Sequence, residues 1–474
     1  MSDPSPRSTA GRPTKIAALL ATAGALVYLW LSWCAFPASN WNELRLAPTF
    51  ALLHGETIYP PANGGPLSTW IYGPVGLLVN LPATLASSAA GAIRVAGVIN
   101  ALTLVAPLAV IFFASSDLRA RGRATRWLAL SLAVLLLPAT SLQFQVPDHA
   151  AIALGLLSCF CLAHSERPSR AHLIVAAALC ALAAWSKQTA VFLAPAQAVW
   201  LLARGERSLV ARYVFWVLLF GLSLLIASVL AFGFSGLWLN LVAIPARLPW
   251  GDIPDKLARR WPQLAVQLLL PAVLLVLLRR RGLWPARDSE AGRFLGIALC
   301  VAVVFVPVGL ASFFKIGGDL NMLHWWFYLV PAIGLAWFAR PCSSPLAQFS
   351  LVGLVLLVRV PDFRALPLTP NPAPLDLAEE LARANHGAIW FPYNPLVTFF
   401  SDGKFYHVED GIATRNLAGL GLRESGFRRH LPAQLGAIVY PANQTDCFAL
   451  QLLPEFNRRT IVGDWAVYRR KDAP

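Results

Sequence analysis

Residues 16–45 read IAALLATAGALVYLWLSWCAFPASNWNELR: an unbroken apolar run over 16–36, then Asn42-Glu43-Leu44-Arg45. A run of that length crosses a hydrocarbon core of about 30 Å as one helix. The carboxylate of Glu43 and the guanidinium of Arg45 then fall at the water edge of a bilayer. Comparable runs recur down to residue 360, each closed by polar clusters. The chain is 57% hydrophobic and 13% charged, with mean hydropathy +0.58, against roughly 25% charged residues in soluble domains. This is the composition of an all-α polytopic membrane protein.

Eleven spans are expected, at 16–36, 91–115, 127–143, 149–164, 172–186, 189–203, 212–234, 263–279, 293–313, 322–339 and 346–360. Arg7, Arg12 and Lys15 precede the first, and no small-residue cleavage site follows it, so it reads as an uncleaved helix. Placing the N-tail (1–15) in the cytoplasm puts eighteen Lys and Arg on that side and eight in the opposite short loops. Cytoplasmic loops carry the excess of Lys and Arg, so this orientation is the expected one. The net charge of +15 is therefore topological, and no basic groove interleaved with stacking aromatics points to nucleic acid. Residues 70–87 are apolar, yet they carry Pro74, Asn80 and Pro82. Counting them as a span would turn the Arg119–Arg126 loop outward, so 37–90 reads as one long outer loop. Trp41, Tyr59, Trp70 and Tyr72 suit a headgroup layer there.

An odd number of spans leaves the tail outside. From 361 to 474 the chain turns rich in Pro and charge. A capping-box signal stands at Asp376-Leu377-Ala378-Glu379 with a stop at Gly387. Strand-like runs lie at 388–391, 405–408, 437–440 and 464–469. A small soluble α/β domain is expected. Of the cysteines, Cys159, Cys161, Cys180 and Cys300 fall in spans, Cys34 near the end of another, Cys342 in a loop and Cys447 in the tail, a distribution that argues no disulfide framework.

The orientation gathers Asn42–Arg45, Pro147-Asp148-His149, Ser186-Lys187-Gln188 and Lys315–Asp319 on one side. One carboxylate to take a proton from an attacking hydroxyl, and cations to hold a phosphate leaving group, suffice for transfer of a sugar from a lipid phosphate. Each residue also has a plainer reading. Glu43 fits the first turn of an amphipathic helix running to His54 and stopped by Gly55. Asp148 suits a helix N-cap, and Lys187 a snorkelling lysine. Lys315 and Asp319 suit a surface ion pair, and Arg259-Arg260-Trp261 an interfacial anchor. His324 is a weak ligand candidate. Among soluble-enzyme motifs, no Walker loop, zinc-spaced Cys/His set or GxSxG elbow is present.

Taken in order, Trp41-Asn42-Glu43-Leu44-Arg45-Leu46-Ala47, Leu53-His54-Gly55-Glu56-Thr57-Ile58-Tyr59-Pro60, Tyr72-Gly73-Pro74, Arg94, Pro147-Asp148, Trp185-Ser186-Lys187-Gln188-Thr189 and Lys315-Ile316-Gly317-Gly318-Asp319-Leu320-Asn321 resemble the GT-C membrane glycosyltransferases, such as the protein O-mannosyltransferases and aminoarabinose–lipid A transferases. The resemblance covers about residues 15–360. It implies a polyprenyl-phosphate sugar donor and inverting transfer to a lipid, glycan or protein acceptor outside the cytoplasm of a bacterial inner membrane. It also implies a catalytic acid in the first outer loop. Asn42 stands where an Asp often stands, so Glu43 is the expected base and Asp148 the second acid, with Asn42 and Arg45 beside the substrate. Lys187, Arg94 and Lys315 are expected on the donor phosphate, with Gln188 and Asp319 nearby. No cofactor is firmly implied, although a divalent metal is compatible with the second acid. Two other classes compete. A flippase for a lipid-linked sugar predicts ionisable residues near helix centres and inverted repeats. A non-catalytic envelope scaffold predicts a degenerate site, for which Asn42 speaks.

Overall fold

The apolar runs form helices in the computed structural model, which describes residues 11–61, 64–68, 70–340, 345–421, 424–445 and 447–470; Arg7 and Cys342 lie outside them. Helix α1 is Arg12–Ala35, and α2, Asn40–Leu53, follows in the outer loop. The remaining bundle helices are α3 Ala89–Ala114, α4 Arg123–Leu135, α5 Pro147–Ala163, α6 Arg170–Ser186, α7 Leu193–Ala203, α8 Arg207–Phe232, α9 Ile253–Arg280, α10 Glu290–Phe314, α11 Trp325–Ala339 and α12 Pro345–Ala365. Ser88, Ser169, Asp252 and Ser289 cap α3, α6, α9 and α10 through their side-chain oxygens, which satisfies N–H groups that a helix start leaves open. Helix α8 is apolar all round and turns Phe215, Leu218, Leu222, Ile226 and Leu230 outward. Water gives no reason for that; lipid does.

Among the described residues, six helices are long and apolar enough to cross a membrane: α1, α3, α8, α9, α10 and α12. Helices α5, α6 and α11 and the stretch Gln188–Ala203 are apolar but shorter. The third expected span is also shortened, because α4 ends at Leu135 and Pro138 precedes a separate turn at Ala139–Gln143. The carbonyls freed there do not go unpaired. Trp326 Nε1 donates to Leu136 O at 3.1 Å, while Tyr28 Oη and Arg359 donate to Leu137 O at 2.8 and 2.9 Å. Irregular backbone at membrane depth is tolerated where protein buries it or a cavity lies beside it. Between α2 and α3 the described residues make a turn of helix at Val75–Leu78 and a 3-10 turn at Leu81–Leu85. Tyr59 and Trp70 do not reach a headgroup layer; both are buried in the core beneath the tail domain.

At the end of the bundle away from Lys187, arginines meet the last carbonyls of helices. Arg293 donates to Ala163 O, Arg287 to Ala203 O and Arg121 to Ala339 O, at 2.7, 2.6 and 2.8 Å. Cations there complement the negative ends of the helix dipoles.

Helix α12 continues past Pro361 to Ala365, so the soluble domain starts later than expected. It contains α13 Ala373–Ala384, α14 Pro395–Asp402 and α15 Glu409–Leu417, with strands β1 Ile389–Trp390, β2 Ala437–Pro441, β3 Arg458–Val462 and β4 Trp465–Arg469. The sheet order is β1-β2-β4-β3, with β1 parallel to β2 and the other pairs antiparallel. Helix α13 begins one turn before the capping-box signal, since Pro374 starts it well. The strand expected at 405–408 is absent from the sheet. Val408 N donates to Leu67 O at 3.0 Å, so that backbone is spent on the outer loop. Strand β3 carries no clear strand signal in the sequence, because Arg458-Arg459 and its largely exposed pattern make it a charged edge strand.

Candidate active site

The short helices stop at one place. The start of α5, the end of α6 and the start of α11 border two adjoining chambers of about 580 and 310 Å³. Arg45, Tyr72, Gly317, Gly318, Met322 and Asp410 line both, so these residues stand where the chambers meet. The larger chamber adds Trp41, His149, Arg260 and Asp319. The smaller adds Lys187, Gln188 and Lys315, with an apolar wall of Leu241, Pro245 and Leu248. Trp238, Trp250 and Trp261 are 53%, 58% and 57% exposed nearby. Exposed indoles mark the level of lipid headgroups.

Asp148, in the first turn of α5, is fully buried and completely engaged. Its Oδ2 accepts from Lys187 Nζ at 2.9 Å and Asn321 Nδ2 at 3.1 Å, and its Oδ1 bonds His324 Nε2 at 2.6 Å. Lys187 Nζ also lies 4.5 Å from the centre of the Tyr72 ring. Gly73 makes that approach possible, since a Cβ on it would come within 1.8 Å of Trp185 O. A buried carboxylate is stable only when paired and bonded, and three donors from two segments do that here. A divalent metal, expected as compatible with Asp148, does not fit at this position, because the Lys187 ammonium occupies the cation site.

The Lys315–Asp319 loop is held from below. Lys256 of α9 donates to Phe313 O at 2.8 Å and Gly318 O at 3.0 Å, and also to Lys315 O. Residues 249–251 pair with 314–316 through Gly251 N to Phe314 O and Ile316 N to Pro249 O. Gly317 takes φ +78°, and a Cβ on Gly318 would lie 2.1 Å from Ser312 O, so both glycines are required by the turn. The loop directs Lys315 Nζ to Pro245 O at 2.9 Å and lets Asp319 pair with Arg260 at 2.9 Å. Asp319 also accepts from Leu320 N.

The first outer loop departs from expectation at two residues. Asn42 is fully buried; its Nδ2 donates to Phe36 O (2.6 Å) and Gln143 O (2.8 Å), and its Oδ1 accepts from Gln145 N (2.6 Å). It ties α2 to the broken third span and lines neither chamber. Only an amide both donates and accepts in this way. Glu43, expected as the base, is likewise 0% exposed and lines neither chamber. Its oxygens accept from Leu396 N (2.7 Å), Val397 N (3.1 Å) and Asn394 Nδ2 (2.8 Å). The carboxylate is a cap on α14 of the soluble domain, and burial pushes its pKa up to about 7. Proton transfer in the cavity is out of its reach.

Arg45 does reach the cavity, under the rings of Trp41 and Tyr72 and 3.4 Å from Asp410. Gln188 lines the smaller chamber and donates to Leu241 O at 3.2 Å and to Ile71 O. Arg94 does not join the group: it sits in α3 and lines neither chamber. Four residues in the site carried little or no signal. His324 and Asn321 act through Asp148, Arg260 is a wall residue and not only an anchor, and Asp410 arrives from the soluble domain. Spacing in sequence does not show that last contact, which joins residues 365 positions apart.

No protein-family model and no curated protein matches the chain. Among solved structures, it is similar to the crystal structure of ArnT from Cupriavidus metallidurans in the apo state, at 14% identity and TM-score 0.44, over 95% of this chain and 97% of that one.

Proposed function

We propose that the protein is a membrane glycosyltransferase that moves a sugar from a polyprenyl-phosphate carrier to an acceptor outside the cytoplasm of a bacterial inner membrane. The observation that carries this reading is the two-chamber cavity at one end of the helix bundle. Its smaller chamber offers Lys187 and Lys315 beside an apolar wall and exposed indoles. That is a fitting place for the phosphate and first isoprene units of a lipid carrier. Its larger chamber is wider and more polar, with Trp41, Arg260 and Asp319 available to an acceptor. Phosphate leaves with its charge held by the lysines, so no general acid is needed on that side. Asp148 sets the position of Lys187. The ionisable residues stand at helix ends, where a transferase needs them and where a flippase mechanism gains little. In this reading the arginine-rich end of the bundle faces the cytoplasm.

Mass spectrometry of lipid-linked sugars and envelope glycans tests this, in cells lacking the gene and in cells with it restored. The expected result is one glycan missing its sugar while a polyprenyl-phosphate sugar accumulates. An unchanged profile would remove the transferase reading.

A further inference from the structure

We infer that Asp410, carried on helix α15 of the soluble domain, is the general base of the cavity. The inference rests on the transferase reading above and concerns which group accepts the acceptor's proton.

Carboxylates near the cavity are few, and most are already committed. Glu43 caps α14, and Asp148 accepts from Lys187, Asn321 and His324 with no exposed surface. Among the described residues, Asp319 and Asp410 are the carboxylates that line the chambers. Asp319 belongs to the larger chamber alone and is held by Arg260 and Leu320 N. Asp410, paired with Arg45 and 19% exposed against 50% for Asp319, is the one of the two that lines both chambers. A base must stand between the acceptor and the sugar carbon it attacks, and the junction of the two chambers is that place.

The soluble domain fixes Asp410 there from several directions. Leu67 O accepts from Val408 N at 3.0 Å, and a Cβ on Gly411 would lie 2.7 and 2.8 Å from Leu67 O and Ser68 O. Helix α15 therefore packs on the outer loop at a distance only glycine permits. One turn later, buried Arg415 donates to Pro60 O at 3.1 Å and Asn240 Oδ1 at 3.3 Å. Next to Asp410, Glu409 accepts from Tyr440 Oη at 2.7 Å, anchoring the helix start to β2. Burial raises the Asp410 pKa while Arg45 opposes that rise. The Asp410 carboxylate is thus more basic than one in water, with Arg45 beside it.

In the step, the acceptor's O–H proton passes to the Asp410 carboxylate as the acceptor oxygen bonds to the anomeric carbon. The bond from that carbon to the phosphate oxygen breaks with its electron pair, leaving polyprenyl phosphate beside Lys187 and Lys315. Asp410 then releases its proton to water.

The test uses the full-length protein returned to deletion cells as wild type, Asp410→Asn and Asp410→Glu, scoring the rate of the glycan product defined by the comparison above. Tryptophan quenching of the purified proteins by a C55 polyprenyl phosphate in detergent is measured in parallel. The base assignment expects Asp410→Asn to slow transfer roughly 10²-fold or more, with polyprenyl phosphate affinity within twofold of wild type, and Asp410→Glu to recover part of the rate. Wild-type transfer by Asp410→Asn would overturn the base and leave the transferase intact. So would a tenfold or greater loss of polyprenyl phosphate binding, which would make Asp410 a positioning partner of Arg45. If restoring the wild-type gene changes no glycan, the transferase reading fails, and this step with it. Should Asp410→Asn not fold, Asp410→Glu decides: a rate equal to Asp410→Asn membranes, with binding intact, removes the assignment.

Discussion

Glu43 and Glu379 cap helices in opposite directions across one interface. Glu43, from the outer loop of the membrane part, accepts from the first N–H groups of α14 in the soluble domain at 2.7 and 3.1 Å. Glu379, from α13 of the soluble domain, accepts from Ala89 N at the start of membrane helix α3 at 2.8 Å. Both are buried. Each part of the protein completes a helix that the other leaves open, and these two caps help seat the soluble domain on the membrane domain.

Docking of the soluble domain should weaken as pH rises. Burial raises Glu43 from 4.5 to about 7. The folded chain therefore binds more protons than the unfolded one between these values. The contribution is fully present below about pH 4.5 and is lost as pH rises through about 7, up to roughly 3 kcal/mol. Protection factors at α14, corrected for the intrinsic pH dependence of exchange, should be higher at pH 5.5 than at pH 8. Glu43→Gln, which keeps an acceptor for the helix, should flatten its part of this dependence, whereas Glu43→Ala should cost about 1–3 kcal/mol at any pH.

Asn42→Asp should impair the protein even though it restores an acid in the first outer loop. The new carboxylate would face Phe36 O and Gln143 O, which now accept from the amide. Loss of two donors beside a buried charge should cost roughly 3 kcal/mol or more. Thermal unfolding in detergent measures it; an unchanged midpoint with raised transfer would show that position 42 faces substrate.

Lys187→Met should be among the most damaging single changes at the site. It leaves Asp148 buried with one charge unmatched, which costs about 3–5 kcal/mol, and removes the phosphate contact of the proposed transferase. Asp148→Asn should disturb Lys187 in the same way while sparing the cavity wall. Unfolding midpoints and polyprenyl phosphate binding separate the two: both variants lose stability, and Lys187→Met loses more binding.

Lys256→Met should loosen the Lys315–Asp319 loop without touching substrate. Its ammonium spans carbonyls at 313, 315 and 318. Transfer should fall about tenfold or more as Lys315 loses its place, with little change in global unfolding. Faster proteolysis or exchange confined to 313–320 would be the accompanying sign.

Sidedness is checked with single cysteines in a background whose native cysteines are replaced. Ile316→Cys and Arg459→Cys should react with a membrane-impermeant thiol reagent from outside, and Arg281→Cys only after the membrane is opened. The reverse pattern would invert the orientation and move the cavity to the cytoplasm.

Much of this architecture was legible in the chain, for a physical reason that acts locally. A bilayer imposes a length and a polarity on every segment that enters it, so the helices, the Arg-rich turns and the clusters at Asp148, Lys187 and Lys315 are written in consecutive residues. What kind of group stands at each helix end is likewise local. The soluble tail declared itself by its charge and Pro content, although its edge strand β3 and the extended segment at 405–408 did not. Which of those groups meet, and which are spent on structure, depended on contacts between residues far apart. Glu43 reads as a catalytic acid until α14 arrives more than 350 residues later and takes both its oxygens. Asn42 reads as a missing acid until the break at Pro138 supplies the backbone groups it binds. Asp410 reads as an ordinary first-turn acid until Gly411 lets its helix press on the outer loop and carries it to Arg45. A carboxylate's role is set by the donors and the solvent around it, and in this protein those are assembled only when the soluble domain closes over the membrane helices.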